Sequence, residues 1–293
     1  MRIIRNLLLL TIIFISACSP TKKILTIESD ISNLYQQEQY QKILLQYDKL
    51  KTLCSQNNLP INDNTKISAA IAANKTENYE QSITIFNSID SLYNPEVILT
   101  GSENFEKTYQ FKEGLDYLNQ HINKFKGSNL EQTALLKLYR LQQQIEDYEA
   151  ANKTWIKIDY SNNTDLMFEQ ITVLTKLNKK KDALALCNEL LKIDNSHEQA
   201  LFWKADYYYN KAEKWYQNEM AKYNRDANYT AYAYLRRELK KISANFRTAR
   251  DLLITLHNID PNNKKYLGYL INTYVRLDMK SEVEKTKKKL KAL

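Results

Sequence analysis

Apolar residues recur at helical spacing in two segments of the chain, 181–209 and 246–276. In each, positions three and four residues apart are followed by an Ile-Asp turn and then by a second run of similar spacing. Such spacing places the apolar side chains on one face of a helix. Both segments therefore predict a helix, a turn and a second helix. The positions are Ala183, Cys187, Leu190, Leu201, Ala205 and Tyr208 in the first segment, and Ala249, Leu253, Leu256, Leu267, Leu270 and Tyr274 in the second.

The same pattern extends toward the N-terminus as a series of anchor residues, one early in the second helix of each predicted hairpin. Five of the six intervals between anchors lie within five residues of 34, and the interval from Ala183 to Ala249 is 66 residues. A fixed period of this size is typical of repeat proteins. The pattern predicts seven helical hairpins. The anchors are Ile43, Ser82, Gly114, Ala151, Ala183, Ala249 and Val283.

With its Ile-Asp-Pro-Asn-Asn turn at 259–263, the pattern resembles the tetratricopeptide repeat (TPR). The resemblance covers about residues 24–293. It implies an all-α, TPR-like α-solenoid, a right-handed superhelix of about seven hairpins in which the sixth is elongated. Lone hairpins leave apolar faces uncovered, and stacking on neighbours buries them. The last copy, about 280–293, has Lys287 where an apolar residue is expected. This favours a capping helix whose outer face is exposed to solvent.

The 66-residue interval predicts one long hairpin, about 198–257. Apolar positions alternate three and four residues apart through Leu201–Trp215 and again through Leu235–Leu256, as in a coiled-coil seam. A polar turn at 223–228 separates the two runs. An ordinary repeat hidden in the interval is the alternative. We expect the tip to project past its neighbours as a docking arm, with a mixed, cation-leaning outer surface. Its outward residues are expected to be Lys211, Glu213, Lys214, Glu219, Arg236, Arg237, Lys240 and Lys241.

The first residues have the pattern of an export signal. Arg2 and Arg5 precede a nine-residue apolar run, which is too short to span a bilayer. The following Ile-Ser-Ala-Cys resembles the lipobox of bacterial lipoproteins. This resemblance implies a signal peptide over 1–17, lipidation of Cys18 and an anchor linker over 18–23. An ordinary secretory signal is the alternative. The residue after Cys18 is Ser19 rather than Asp, which favours the outer membrane, on its periplasmic side.

Composition excludes several functional classes. The chain has four glycines, no two of them within six residues, so a phosphate-binding loop cannot be built. Its three histidines lack metal-ligand spacing, and no nucleophile motif is present. We therefore expect no catalytic residues, no metal and no cofactor. Of the net charge of +8, +4 lies in 276–293, which favours a solvated basic helix over a nucleic-acid surface.

These observations predict a non-enzymatic, lipid-anchored scaffold that binds a protein or peptide partner at the cell envelope. A carbohydrate- or peptide-binding outer-membrane lipoprotein is the alternative. In the repeat family, certain positions of each first helix face the concave groove. Aromatic, amide and cationic side chains there would suit a peptide or a glycan. The candidate groove residues are Gln199, Phe202, Asp206, Tyr209, Asn210, Arg140, Phe168 and Lys176.

Overall fold

A computed structural model describes residues 19–160 and 162–293. The predicted signal peptide and Cys18 lie outside the described residues. Within the described ranges the protein is all-helical, without a strand, and it divides into two compact units that meet in sequence at Asp147 and Tyr148.

The described part of the first unit, residues 19–147, contains seven helices and one short 3₁₀ turn. Consecutive helices pack against each other, and α3 also contacts α1 and α5. The elements are α1 (Pro20–Gln36), α2 (Tyr40–Asn57), α3 (Asp63–Lys75), α4 (Tyr79–Phe86), α5 (Pro95–Lys107), α6 (Phe111–His121), the 3₁₀ turn Ile122–Phe125, and α7 (Glu131–Gln144).

Seven helices also form the described part of the second unit, residues 148–160 and 162–293, and each packs against the next. Two of them are about twice as long as the others. The elements are α8 (Tyr148–Trp155), α9 (Thr164–Lys176), α10 (Lys180–Ile193), α11 (Glu198–Arg225), α12 (Tyr229–Ile259), α13 (Lys264–Arg276) and α14 (Lys280–Lys291).

All seven predicted anchors lie on even-numbered helices and are buried. Small anchors are explained by close approach. At Gly114, an added Cβ would lie 2.8 Å from the Cβ of Phe105 on α5, closer than real Cβ contacts. Ser82 is fully buried and donates its hydroxyl hydrogen bond to the carbonyl of Ala70 on α3. The anchor positions therefore mark where the second helix of a hairpin meets its neighbours.

Six turns, each joining the two helices of one hairpin, share one hydrogen-bonded geometry that includes a left-handed residue. In each, the residue after the left-handed one donates its N–H to the carbonyl five residues earlier, as Gln39 does to Leu34 and Lys179 does to Leu174. This bond closes a Schellman-type helix end and satisfies an orphan carbonyl. The turn after α2, between two hairpins, has the same geometry at Asn58. The left-handed residues of the six hairpin turns are Glu38, Glu77, Tyr109, Glu146, Asn178 and Asp278.

Asparagine side chains begin several of the first helices. The Oδ1 atoms of Asn62, Asn94, Asn163 and Asn263 accept hydrogen bonds from backbone N–H groups in the first turn of α3, α5, α9 and α13. Such N-caps satisfy donors that have no partner inside the helix. The residue before the first helix is thus an asparagine N-cap in four of the hairpins.

The long hairpin is confirmed, since α11 has 28 residues and α12 has 31. Its predicted seam is buried at Leu235, Ile242 and Phe246. Two predicted outward residues are placed differently. Glu219 is buried in the seam and accepts a hydrogen bond from Lys222 at 2.6 Å, and Glu213 is held by Arg276 of α13 at 2.7 Å. The outer face of the hairpin is therefore more basic than its sequence suggests.

Replacing Ala183 with leucine is expected to destabilise the second unit by roughly 1–3 kcal/mol, because the residue is fully buried on α10 and a larger side chain would overfill the contact. The free energy of unfolding from urea denaturation measures the effect. Ala185→Leu is the matched control, since Ala185 is exposed on the same helix. Equal stabilities of the two variants would contradict the anchor role of Ala183.

Candidate functional site

A strip of α11 remains uncovered because its two neighbouring first helices, α9 and α13, have only 13 residues each. The indole N–H of Trp203 donates to Oγ1 of Thr175 at 3.0 Å, near the end of α9. On the other side, Arg276 at the end of α13 contacts Glu213 and the ring of Tyr216. Beyond these contacts α11 continues without a neighbouring first helix on either side.

The uncovered strip forms one wall of a cavity of about 600 Å³, which we call the α11 trough. At about 1.5 Å per residue, the trough runs for about 22 Å along the helix from Trp203 to Asn218. Its volume is within the usual range for ligand sites. The lining residues are Thr175, Lys180, Trp203, Asp206, Tyr207, Asn210, Lys211, Lys214, Trp215 and Asn218.

One end of the trough has a fixed aromatic wall. The rings of Trp203 and Tyr207 stack with centroids 5.7 Å apart and an interplanar angle of 14°. The hydrogen bond to Thr175 orients the indole. Because these rings are held before any ligand arrives, binding would not have to order them.

The trough is positively charged. Lys180, Lys211 and Lys214 are exposed, and none forms an ion pair within the described residues. The single acidic lining residue, Asp206, accepts a hydrogen bond from the Tyr269 hydroxyl at 2.8 Å. Burial, and then this hydrogen bond, raise the pKa of Tyr269 to about 12. The arrangement suits a ligand that carries negative charge and an apolar or aromatic group.

The structure divides the predicted groove residues into three sets. Asp206 and Asn210 line the trough. Phe202 and Tyr209 turn toward α13, where each contacts the ring of Tyr269, at centroid distances of 5.3 and 5.5 Å.

The remaining four predicted residues do not line the trough. Gln199 is exposed at the start of α11, and Phe168 packs against His197 with ring centroids 5.6 Å apart. Lys176 lies over the ring of Tyr148 at 5.8 Å. Arg140 is exposed on α7 in the first unit, whereas every lining residue of the trough belongs to the second.

Most trough residues were not predicted from the sequence. The groove positions of a short repeat cover only the first half of α11, which is about twice as long as the first helix of a short repeat. A signal was available in the spacing of Trp203, Tyr207, Lys211, Lys214 and Asn218, which recur every three or four residues. Residues so spaced share one helix face. This face adjoins the apolar seam and mixes aromatic with polar residues.

Other chemistry is sparse in the part of the chain that the structure describes. No group of three or more His, Cys, Asp or Glu residues there is placed to hold a metal ion. The ring of His257 contacts Nζ of Lys289 at 2.8 Å, and burial, followed by this lysine, lowers the pKa of the imidazole. Among the described helices, none has the length and apolar character needed to cross a bilayer.

The anchors, the capped first helices and the six turns define a TPR-like fold. No protein-family model and no curated protein matches the chain. Solved structures with a similar arrangement include a protein-binding protein from Bacteroides ovatus, which is 15% identical with a TM-score of 0.49 and covers 78% of this chain and 100% of its own. YrrB, a TPR protein with an unusual peptide-binding site, is 16% identical with a TM-score of 0.47. The match covers 62% of this chain and 96% of YrrB. A tetratricopeptide repeat protein from Parabacteroides merdae is 15% identical with a TM-score of 0.39. The match covers 67% of this chain and 78% of that protein.

Proposed function

We propose that this protein is a non-enzymatic repeat scaffold that holds an extended, acidic segment of a partner protein in the α11 trough. The observation that carries the proposal is the combination of a preformed aromatic wall with three lysines that have no ion-pair partner among the described residues. Extended chain advances at most about 3.3–3.6 Å per residue, so the length of the trough accommodates six or seven residues.

Each part of the trough has a role in this proposal. Lys211 and Lys214, one turn apart on α11, would contact carboxylates of the bound segment. Asn210 and Asn218 carry both donors and acceptors and can bind its backbone. The Trp203–Tyr207 wall would receive an apolar or aromatic side chain, as aromatic residues commonly do at the centre of interfaces.

The trough proposal predicts a site-specific cross-link that depends on charge. A benzophenone amino acid in place of Asn210 is expected to give one discrete adduct in cells, and peptide mapping should find an acidic segment in it. Changing Lys211 and Lys214 together to glutamate should weaken binding by at least about tenfold, because like charges would then face each other across the contact.

Two controls accompany this experiment. The same benzophenone placed at the exposed Ala185 should give no adduct of that size. Lys288→Glu with Lys291→Glu makes the same charge change on α14 and should leave the Asn210 adduct unchanged. An adduct that persists in the Lys211 and Lys214 variant, or that maps to a basic segment, would refute the trough as an acidic-peptide site.

A carbohydrate ligand is the second candidate, and the stacked Trp203–Tyr207 pair favours it. A flat aromatic face can pack against the apolar face of a sugar ring just as it packs against a side chain. The cross-link separates the two ligands, since after proteolysis the peptide that carries the benzophenone is joined either to a second peptide or to a sugar, which mass spectrometry distinguishes. A sugar adduct that is lost in Trp203→Ala would replace the peptide proposal with a glycan proposal.

We further propose that the scaffold is anchored to the outer membrane through lipid on Cys18 and faces the periplasm. The support is the order of features at the N-terminus, namely two arginines, a short apolar run and the lipobox-like Ile-Ser-Ala-Cys. In this setting a partner protein, rather than a nucleic acid, would meet the trough.

A further inference from the structure

The end of the long hairpin has a surface that the trough does not explain. We call residues 219–241 the arm tip; they comprise the last turns of α11, the turn at 226–228 and the first turns of α12. Near the end of α13, the guanidinium of Arg276 lies over the ring of Tyr216 on α11, 4.4 Å from its centroid. The arm tip follows this contact in sequence.

Charges in the arm tip are sorted between inside and outside. The segment contains six cations and three carboxylates. Two of those carboxylates, Glu219 and Glu238, are each only 5% exposed in the seam, where Lys222 and Lys241 bind them at 2.6 and 2.8 Å. Asp226 is the one exposed carboxylate of this described segment. The outer surface is therefore dominated by cations.

Tyrosines concentrate at the extreme end of the arm tip. Tyr229, the first residue of α12, is 87% exposed, and Tyr232 and Tyr234 are 48% and 47% exposed. At about 100° per residue, Tyr229 and Tyr232 lie on one side of α12 and Tyr234 lies on roughly the opposite side, so the three rings do not form one stripe. A partner that lies along one face of the hairpin would leave at least one of these rings in water.

Along the axis of the arm, measured from its end, the side chains follow the order found in segments that anchor proteins at a membrane interface. The three tyrosines lie within about 8 Å of the start of α12, similar to the roughly 5–10 Å depth to which interfacial segments enter the headgroup region. Arg236 and Lys240 follow at about 10 and 16 Å. Tyrosines at the headgroup level with cations beside them are the usual residues of proteins at membrane–water interfaces.

We propose that the arm tip docks end-on against an anionic lipid surface. Its cations complement acidic headgroups, and the tyrosines on both sides of α12 enter the interface. This contact goes beyond the proposed peptide binding in the trough and uses none of the trough residues. If the chain is also lipidated, the tether keeps the arm tip near the bilayer at high effective concentration, so a weak contact suffices.

The test uses the unlipidated mature chain, residues 18–293 with Cys18→Ser, which retains every described helix. We expect it to sediment with vesicles of 30% phosphatidylglycerol in phosphatidylethanolamine, and not with pure phosphatidylcholine vesicles. Arg236→Glu with Lys240→Glu should weaken sedimentation by at least about tenfold, because each cation near such a surface contributes to binding. Lys288→Glu with Lys291→Glu on α14 is the equal-charge control and should have little effect.

A local probe distinguishes the arm tip from general electrostatic attraction. An environment-sensitive dye on Tyr229→Cys should brighten and shift to the blue on adding the anionic vesicles, and a dye on Ser281→Cys of α14 should not. Both native cysteines of the described residues are buried, so the introduced thiol is labelled preferentially. Tyr232→Ser with Tyr234→Ser should reduce the shift while circular dichroism remains helical.

Three results would overturn the proposal. One is equal vesicle binding by the arm-tip and α14 charge variants, and another is an unchanged dye spectrum at position 229. The third is a benzophenone at Tyr232 that cross-links to an acidic envelope protein but not to lipid, which would assign the arm tip to a protein partner. Loss of the Asn210 adduct bears only on the trough, so the two proposals fail separately.

Discussion

Phe246→Ala is expected to lower the free energy of unfolding of the second unit by about 3–5 kcal/mol, the usual cost of removing a buried phenylalanine ring. Phe246 is 1% exposed on α12 and packs edge-to-face on Tyr209, with ring centroids 5.7 Å apart. Its cluster includes Ala212 and Ile242 from the seam and Leu277 after α13. The ring thus joins the base of the long hairpin to the next helix, and its loss opens a cavity between three elements.

Urea denaturation and hydrogen exchange together measure this effect. Exchange of amides in α11 and α12 should accelerate strongly, because local opening follows the loss of packing. Tyr229→Ala is the matched control, since it removes an aromatic ring from the same helix at a site that is 87% exposed. A Phe246→Ala protein as stable as this control would mean that the base of the hairpin is not a packed junction.

Cys18→Ser is expected to abolish labelling by radioactive palmitate and to release the protein from membranes washed with high salt, which screens the electrostatic contact of the arm tip. The physical reason is that each buried CH₂ of an acyl chain contributes about 0.8 kcal/mol to membrane affinity, so loss of several chains outweighs any peripheral contact. Ser19→Ala changes the adjacent residue, keeps the thiol and should preserve both signals. Continued palmitate labelling of Cys18→Ser would show that the thiol of Cys18 is not the lipid acceptor.

Sequence periodicity predicted the helices and anchors because these depend on burial along single helix faces. A small residue was needed at Gly114 because Phe105 approaches closely, and at Ala183 because the site has no exposure. The long hairpin was predictable for the same reason, since its two apolar runs keep their spacing throughout.

The six left-handed turns could not be predicted, because none uses glycine. Glu38, Glu77 and Tyr109 adopt φ values of 55°, 61° and 58°, a conformation that few non-glycine residues adopt. The helices on both sides fix the turn, and the Schellman-type hydrogen bond offsets the local strain. Tertiary structure, rather than local preference, determines these residues.

The trough and the buried glutamates were missed for a related reason. Glutamate is usually found at the surface, so Glu219 was expected to be exposed. It lies instead on the seam face of α11, where the ammonium group of Lys222 pairs with its carboxylate. The trough exists because α9 ends while α11 continues, and that difference in length becomes meaningful only when the two helices are placed side by side. Asp206 and Asn210 were found because they lie in the part of α11 that a short repeat also has.

The shared turn geometry has a consequence for how such a chain changes length over generations. Each of the six turns closes its preceding helix with its own backbone hydrogen bond, as Gln110 does with Phe105 and Met279 does with Tyr274. A duplication or loss that begins and ends at equivalent turns would carry complete helix ends with it and leave no carbonyl without a partner. The long hairpin contains no such left-handed residue where α11 turns into α12. An insertion at that turn does not have to preserve a helix end of this kind. The arm can therefore lengthen or shorten by single residues, while the remaining hairpins change only as whole copies.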